Sequence, residues 1–298
     1  MSVAVVTDST AYLPPEVAAA HGISVVPMRL AIGGVSYDEG RGVSAEEVAE
    51  ALRDFVPVST SRPSPAVFAD LYAALTAAGH DAIVSIHVSS QISATLSSAQ
   101  LAARDAQIPV EVVDSETIGM AMGFGVIAAA ETAATGADAE QVAEAARRHT
   151  GSSTTVFYVD TLEHLRRGGR IGRASALMGS ALAIKPLLTV RDGHIEPLER
   201  VRTTGKALAR LTQLAVDAVD EMHGAGGLDG VDVAVHHLGS RDRAEKLLEE
   251  LADKLPEARR MLLVELGAAV GAHVGPGTLA VAITPRLVGR SRIVGCSD

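Results

Sequence analysis

The sequence predicts an α/β protein with an N-terminal parallel-sheet domain and a C-terminal α+β domain. In the first half, apolar runs at residues 3–6, 81–88 and 110–113 alternate with helical signals. Continuous apolar runs are typical of parallel strands that are covered on both faces. In the second half, hairpin signals mix with helices, which is typical of an α+β arrangement. We therefore predict two domains, residues 1–153 and 154–298.

The N-terminal elements follow in order. We predict one strand over residues 23–30, a turn into a short hairpin arm at residues 32–35, and a proline-punctuated loop at residues 59–65. Ser44 and Glu47 have the spacing of a reciprocal helix cap. The predicted helices cover residues 14–20, 66–78, a buried segment at 118–130 and a charged segment at 139–148, and further helices begin at Ser44 and near Thr95.

The C-terminal half contains a hairpin signal, in which two apolar segments flank Asp192 and Gly193. The predicted strands are residues 156–159, 183–190, 195–201, 231–235, 261–265 and 279–283. The predicted helices are residues 161–167, 206–222 and 241–254.

Charge and composition exclude several classes of protein. The net charge of −10 argues against a nucleic-acid partner. A local basic cluster, Arg166, Arg167 and Arg170, predicts an acidic partner or anion, or else a solvated helix end. The single cysteine, Cys296, rules out an intrachain disulfide and fits a reducing compartment. Residues 1–6 lack the features of a signal peptide, and residues 118–130 are too short to span a bilayer. We therefore expect a cytoplasmic protein.

Small polar residues recur after apolar runs, and we name this set the hydroxyl rim: residues 7–10, 59–61, 89–90, 93 and 114–115. Ligands of open parallel sheets bind beyond the carboxyl ends of the strands. Hydroxyl groups and helix N-termini at such an edge suit an anion, either a phosphate or a carboxylate. Each cluster taken alone also suits an ordinary helix cap.

Other chemistries have less support. Familiar phosphate-binding loops and metal-ligand patterns do not occur, so we predict neither a cofactor nor a metal. His236 and His237 are adjacent on a predicted strand and point to opposite faces. His87 fits a hydrogen-bonded core residue, and the serine hydrolase elbow is missing. His273 lies in a glycine-rich segment, where it is either an anion donor or incidental to a turn.

The ordered motifs resemble the DegV family, whose better-understood members are the fatty-acid-binding (FakB-type) subunits of bacterial fatty acid kinase. The most specific motif is FYVDTLEHLRRGGRI at residues 157–171. The others are TDST at 7–10, TSRPS at 60–64, HVSSQISAT at 87–95, IKP at 184–186, VRT at 201–203 and GAHVGPG at 271–277.

The resemblance implies a two-domain fold with a lipid tunnel between or beside the domains. It implies that Thr60, Ser93 and His273 hold the carboxylate of a long-chain fatty acid. It also implies that Arg170 and Arg202 serve docking to a kinase subunit, which converts the carboxylate to an acyl-phosphate for phospholipid metabolism.

Three further hydroxyls of the rim, Ser9, Ser61 and Ser90, are added as candidate ligand contacts. The chain departs from the family pattern at Arg62, Gln91 and Ala94, positions that bear on loop shape and headgroup contacts.

The leading hypothesis is thus a lipid-binding carrier that buries a fatty acid and presents it to a kinase. It includes transient contact with a membrane surface and no transmembrane segment. The alternative is an enzyme, a stand-alone esterase or phosphotransferase that uses the serines and histidine of the rim. Turnover by the purified chain alone would distinguish the alternative from the carrier.

Overall fold

A computed structural model describes residues 1–54, 56–177, 184–224, 226 and 228–287. Cys296 and the start of the strand predicted at residue 183 lie outside the described residues. The strands of the described part are β1 Val3–Asp8, β2 Ser24–Val26, β3 Arg29–Ile32, β4 Val35–Asp38, β5 Val58–Ser61, β6 Ala82–His87, β7 Val110–Asp114, β8 Thr154–Tyr158, β9 Lys185–Arg191, β10 His194–Val201, β11 Leu228–His237, β12 Ala258–Glu265 and β13 Leu279–Leu287.

The helices of the described part are α1 Pro15–Ala20, α2 Ala45–Arg53, α3 Pro65–Ala77, α4 Thr95–Ala103, α5 Met120–Ala134, α6 Ala139–Gly151, α7 Glu163–Arg167, α8 Thr204–Gly224, α9 Arg241–Lys254 and α10 Ala268–Val274. Two 3₁₀ turns cover Ser9–Ala11 and Gly172–Leu177. The reciprocal cap predicted for Ser44 and Glu47 is present at the start of α2. No described helix is long and apolar enough to cross a membrane. The cytoplasmic location stays a prediction.

The fold class predicted from the sequence is confirmed. A parallel sheet in the order β2-β1-β6-β7 is formed by strands of the N-terminal half. A mixed sheet in the order β10-β9-β8-β13-β11-β12 is formed by strands of the C-terminal half, and only β11 and β12 pair in parallel. The domain boundary at residue 153 stays a prediction. Along the chain, β7 is the last strand of the parallel sheet and β8 is the first strand of the mixed sheet.

The strand predicted over residues 23–30 is wrong as a single element. It divides into β2 of the parallel sheet and β3 of a separate antiparallel sheet, whose order is β4-β3-β5. Pro27 lies between the two strands and has no N–H group for a continuous ladder. The predicted hairpin arm is confirmed, because β3 and β4 are joined at Gly33 and Gly34, both with positive φ.

Two irregular segments of the prediction are regular in the structure. The loop predicted at residues 59–65 begins with the strand β5, which pairs with β3. A polar strand is stable here because it lies at the edge of its sheet and exposes alternate residues. The glycine-rich segment that contains His273 is the helix α10 rather than a turn. Its glycines lie at positions of close packing, with Gly271 against Leu238.

The mixed sheet separates two apolar layers. One face packs against α8 and α9 through a cluster that includes Val156, Val233 and Val281. The other face packs against the N-terminal half, where Ala234 and Ala282 contact residues of α5 such as Phe124. The predicted buried helix is therefore confirmed as α5, which lies between the two sheets. This face of the mixed sheet also forms one wall of the site described next.

Candidate functional site

An apolar cavity lies between the inner face of the mixed sheet and the loops that follow β1 and β6. Its volume is about 70 Å³, and the surface that its lining atoms expose is apolar. The walls come from both halves of the chain and include Ile92, Ile118, Phe157, Leu165, Val190 and Val270. Walls of this kind favour an apolar ligand, because removing apolar surface from water is favourable.

A smaller space of about 40 Å³ adjoins this cavity. Most of its lining is apolar, and its polar lining residues are Thr10, Thr60, Ser93, Arg170 and His273, of which we name the last four the polar corner. The space shares His273 and Arg170 with the apolar cavity. The structure therefore brings together three side chains that the resemblance assigns to a carboxylate, and adds an arginine to them.

Thr60 and His273 contact each other directly, although they are far apart in the sequence. Oγ1 of Thr60 lies 2.8 Å from Nε2 of His273. Thr60 lies on β5, opposite Leu30 of β3, and His273 lies near the end of α10. When the imidazole N–H at Nε2 donates to the threonine oxygen, the threonine hydroxyl is free to donate to a carboxylate.

Ser93 completes the hydroxyl side of the polar corner. It lies in the turn between β6 and α4, where its Oγ lies 2.9 Å from Oγ1 of Thr95 and accepts from the Thr95 N–H at 3.3 Å. These contacts fix the position of the serine oxygen beside the loop that carries Ile92.

His273 is uncharged at neutral pH. Burial, and then the positive charge of Arg170, lower the pKa of its imidazole to about 4. Within the described chain, Nδ1 of His273 has no hydrogen-bond partner. The ring lies so close to Gly168 that a Cβ at this position would overlap Nδ1. The glycine of the RRGGR segment thus makes room for the imidazole.

Arg170 supplies the positive charge of the polar corner. Its Nε donates to the Ile92 carbonyl at 3.2 Å and its Nη1 donates to the Gly168 carbonyl at 2.6 Å. The side chain is partly buried, in contrast to an exposed docking residue. Arg202 is exposed between β10 and α8. The docking roles of both arginines stay predictions.

A surface cleft of about 430 Å³ also adjoins the polar corner. The cleft shares Thr60, Arg170 and His273 with the polar corner and is also lined by His164 and Arg167. The polar corner therefore lies between an apolar interior and a cleft beside Arg167, whose Nε donates to Glu163 at 2.7 Å. An anionic headgroup held there would be reachable from the cleft.

The other three candidate hydroxyls lie outside the polar corner. The Ser9 hydroxyl donates to Glu39 and accepts from the Met28 N–H. Ser61 is exposed and lies next to Thr60 on β5, so its side chain points to the opposite face of the strand. Ser90 is also exposed, and its backbone N–H donates to Asp114. Their roles as ligand contacts stay predictions.

The departures from the family pattern cluster around one loop. Nη1 of Arg62 donates to the Ala94 carbonyl at 3.4 Å, so two of the three departures contact each other. The third, Gln91, donates its N–H to Oγ of Ser89. All three are exposed, and they support the turn that carries Ser93.

A Ser-His-Asp arrangement is present, but it is buried inside the parallel sheet. Nδ1 of His87 lies 3.0 Å from Oδ2 of Asp8, and Nε2 of His87 lies 2.7 Å from Oγ of Ser85. These three side chains have no solvent exposure, and the Ser85 hydroxyl also accepts from Tyr72. Burial opposes ionisation of Asp8, yet its hydrogen bonds with His87, Thr10 and Val88 lower its pKa. The prediction that His87 is a hydrogen-bonded core residue is confirmed.

Sequence reasoning missed several parts of the site. It left unassigned the apolar wall residues, the role of Gly168, and the place of Arg170 beside His273. The paired glycines after the short helix α7 were a usable signal, because glycine permits close approach of another group. The wall residues carry no comparable signal, since their alternation resembles that of any buried strand.

Comparisons with known proteins identify relatives that match nearly the whole chain. The DegV family model matches residues 2–286. A DegV domain-containing protein of Streptomyces coelicolor is 48% identical over 284 residues, which cover 95% of this chain and 99% of the relative. Among solved structures, a fatty acid binding DegV protein from Bacillus subtilis has a TM-score of 0.86 and 33% identity, over 96% of this chain and 100% of that one.

A second solved structure, of a fatty acid binding DegV family protein from Thermus thermophilus, has a TM-score of 0.83 at 32% identity. It covers 96% of this chain and 100% of that chain. The residues that the family model matches include the strands of the parallel and mixed sheets up to Arg286. The chain belongs to the DegV family.

Proposed function

We propose that this protein binds one long-chain fatty acid, with the hydrocarbon chain in the apolar cavity and the carboxylate in the polar corner. The observation that carries the proposal is the direct junction of these two spaces at His273 and Arg170. Related DegV proteins from Bacillus subtilis and Thermus thermophilus are fatty acid binding proteins, which supports the same ligand class here.

The energetics favour such a ligand. Burying a methylene group gains about 0.8 kcal/mol, so about 14 methylenes gain roughly 11 kcal/mol before association costs are subtracted. A carboxylate is expensive to bury unless it is paired. Arg170 supplies a charge, and the hydroxyls of Thr60 and Ser93 supply hydrogen bonds that are strengthened by the charge of the ligand. Neutral His273 orients the Thr60 hydroxyl.

Extraction of the purified protein tests this proposal. Protein expressed in a bacterial host is denatured and extracted with organic solvent, and the extract is analysed by mass spectrometry. We expect about one fatty acid per chain, because the burial estimate predicts tight retention. An extract without fatty acid, together with no binding of added palmitate or oleate, would contradict the proposal.

We further propose that the bound acid is presented to a fatty acid kinase subunit. The kinase would transfer a phosphoryl group from ATP to the carboxylate through the surface cleft lined by His164 and Arg167. The uncharged imidazole of His273 binds the acid without consuming it, and within the described chain Nδ1 has no carboxylate to orient it as a catalytic base. This geometry favours a carrier over a stand-alone esterase or phosphotransferase.

Reconstitution with a bacterial fatty acid kinase subunit and ATP tests the carrier role. Arg202→Ala should lower the rate of acyl-phosphate formation and leave palmitate affinity unchanged, because Arg202 is exposed and outside the polar corner. Arg104→Ala, another exposed arginine, is the control. Arg170→Ala should lower both the rate and the palmitate affinity.

Turnover of esters or phosphoryl donors by the chain alone, abolished by His273→Ala, would favour the enzyme instead.

A further inference from the structure

The N-terminus of α10 is capped by two side chains from the other half of the protein. The first N–H groups of a helix have no partner within the helix, and Gly267, at the N-cap position, has no side chain to supply one. The N–H of Ala269 donates to Oε1 of Glu39 at 2.7 Å, and the N–H of Val270 donates to the hydroxyl of Tyr12 at 3.2 Å. We name Glu39 and Tyr12 the α10 clamp.

The α10 clamp is tightly built. Glu39 is 8% exposed, accepts from the Ser9 hydroxyl and lies 3.5 Å from the hydroxyl of Tyr12. A Cβ on Gly267 would overlap the Glu39 carboxylate and lie 2.8 Å from Cε1 of Tyr12, so only glycine permits this approach. Tyr12 has a left-handed backbone conformation, with a φ of 50°. A residue other than glycine adopts this conformation only where the surrounding structure stabilises it.

The clamped residues lie one helical turn before His273. Residues three and four apart are neighbours on a helix, so Val270 and Ala269 lie below the imidazole on the same side of α10. The helix is only seven residues long, and a shift at its first turn therefore moves its last turn as well. The contact between His273 and Thr60, at 2.8 Å, depends on where α10 sits.

We propose that Glu39 and Tyr12 are positioning residues for His273, which set the distance between the imidazole and Thr60 by holding the N-terminus of α10. The expected effect on ligand binding rests on the proposed function. The position of His273 can also be measured without a ligand. Neither clamp residue needs to contact the carboxylate. Each acts through the backbone of α10.

The test compares palmitate with 1-hexadecanol, which has the same chain and no carboxylate. Glu39→Ala should lower the preference for the acid over the alcohol by about tenfold, the factor that one misplaced hydrogen bond to a charged group is worth. Tyr12→Phe, which keeps the ring in the cavity wall, should lower it less. Glu39→Gln keeps an acceptor for the Ala269 N–H and should retain most of the preference.

Tyr72→Phe is the matched control, because it removes a buried hydroxyl that contacts Ser85 and is remote from α10. It should lower the unfolding midpoint and leave the preference unchanged. In a His273→Ala background, Glu39→Ala should cause no further loss of preference, since residues that act as one unit are not additive.

A ligand-free measurement separates this inference from the fatty-acid proposal. Proton NMR titration should give a pKa of about 4 for His273 in the wild type. In Glu39→Ala and Tyr12→Phe the pKa should rise towards 6.5, because a displaced ring is better solvated. Clamp variants that keep both the wild-type preference and the wild-type pKa of His273 would overturn the inference. An equal effect of Glu39→Ala on the acid preference in the wild-type and His273→Ala backgrounds would also overturn the inference.

Discussion

Thr60 and His273 are in direct contact, and the proposed selection of a carboxylate depends on this pair. Since His273 is uncharged at neutral pH, it would act on a bound carboxylate by orienting the Thr60 hydroxyl rather than by a charge. The charge comes from Arg170, whose guanidinium is already held by two backbone carbonyls. A carboxylate in the polar corner would therefore meet donors of fixed position, which lowers the entropy lost on binding.

The hydroxyl of Thr60 is the simplest part of this arrangement to remove. Thr60→Val keeps the shape of the side chain and deletes the oxygen, so we expect palmitate affinity to fall about tenfold, as for the loss of one hydrogen bond to a charged group. Isothermal titration calorimetry measures the dissociation constant. Thr60→Ser, which keeps the hydroxyl, should stay near wild type, and equal losses in both variants would exclude this role.

The types of side chain in the family motifs indicated members of the polar corner. The place of each side chain in the fold was harder to predict. Hydroxyl and imidazole groups in the family motifs led to Thr60, Ser93 and His273, which the structure brings together. The place of Arg170 could not be predicted, because it depends on the carbonyl groups of Ile92 and Gly168 in the folded chain. Period-two alternation would have separated Ser61 from Thr60, had residues 58–61 been identified as a strand.

The helix α5 begins at a cap supplied by a histidine from a distant strand. Nε2 of His236 accepts from the N–H of Met120 at 3.0 Å, and Gly119, with φ 69, lets the two approach. Burial, and then the neighbouring His237, lower the pKa of His236 to about 4. Protonation of Nε2 would remove the acceptor and break the cap.

This cap predicts a pH dependence of stability. The pKa of His236 is about 4 in the folded state against 6.5 ordinarily, so between these values the unfolded state binds more protons. Stability should therefore fall as the pH falls from 6.5 to 4, by on the order of 3 kcal/mol for this group.

Urea unfolding of the wild type and His236→Gln at several pH values measures this contribution. Glutamine offers an acceptor that does not titrate, so the difference in unfolding free energy between the two proteins should shrink as the pH falls. A difference that is constant with pH would show that His236 does not titrate in this window.

The short helix α7 ends where the imidazole of His273 rests on Gly168. Gly168→Ala should displace the ring and weaken palmitate binding about tenfold, while hexadecanol binding changes little. Gly205→Ala in α8 is the control, because a Cβ there meets no neighbouring atom and alanine favours a helix. Fluorescence displacement assays measure both affinities, and an unaffected acid preference in Gly168→Ala would contradict the packing argument.

Elements with strong local signals were predicted well, and those defined by pairing were not. The hairpin of β9 and β10 has Asp192 and Gly193 at its turn, both with positive φ, as the sequence indicated. The helix α9 also matches its predicted range. By contrast, β5 is a strand only because β3 lies beside it, and a polar segment reveals no partner by itself.

On the scale of the whole molecule, the apolar cavity is a shared interior of the two halves. Its walls include Ile92 and Ile118 from one half and Phe157 and Val190 from the other. The hairpin of β9 and β10 docks on the first half, where the Ser89 hydroxyl donates to the Gly193 carbonyl at 2.9 Å. A ligand in the cavity would therefore contact both halves at once.

Ligand binding should consequently stabilise the protein as one unit. At a free palmitate concentration of about 100 times the dissociation constant, linkage predicts about 2.7 kcal/mol of added stability. Differential scanning calorimetry should show one transition that moves to higher temperature with palmitate. Two transitions, of which palmitate moves only one, would mean that a single half holds the acid.

The buried chain of hydrogen bonds through Asp8, His87 and Ser85 has a spectroscopic consequence. With the ring proton of His87 bonded to a carboxylate and shut off from water, exchange with solvent requires the centre of the parallel sheet to open. That proton should give a persistent downfield resonance in proton NMR spectra. The exchange rate of this proton would therefore measure how often the parallel sheet opens. It would also show whether a lipid in the cavity makes that opening rarer.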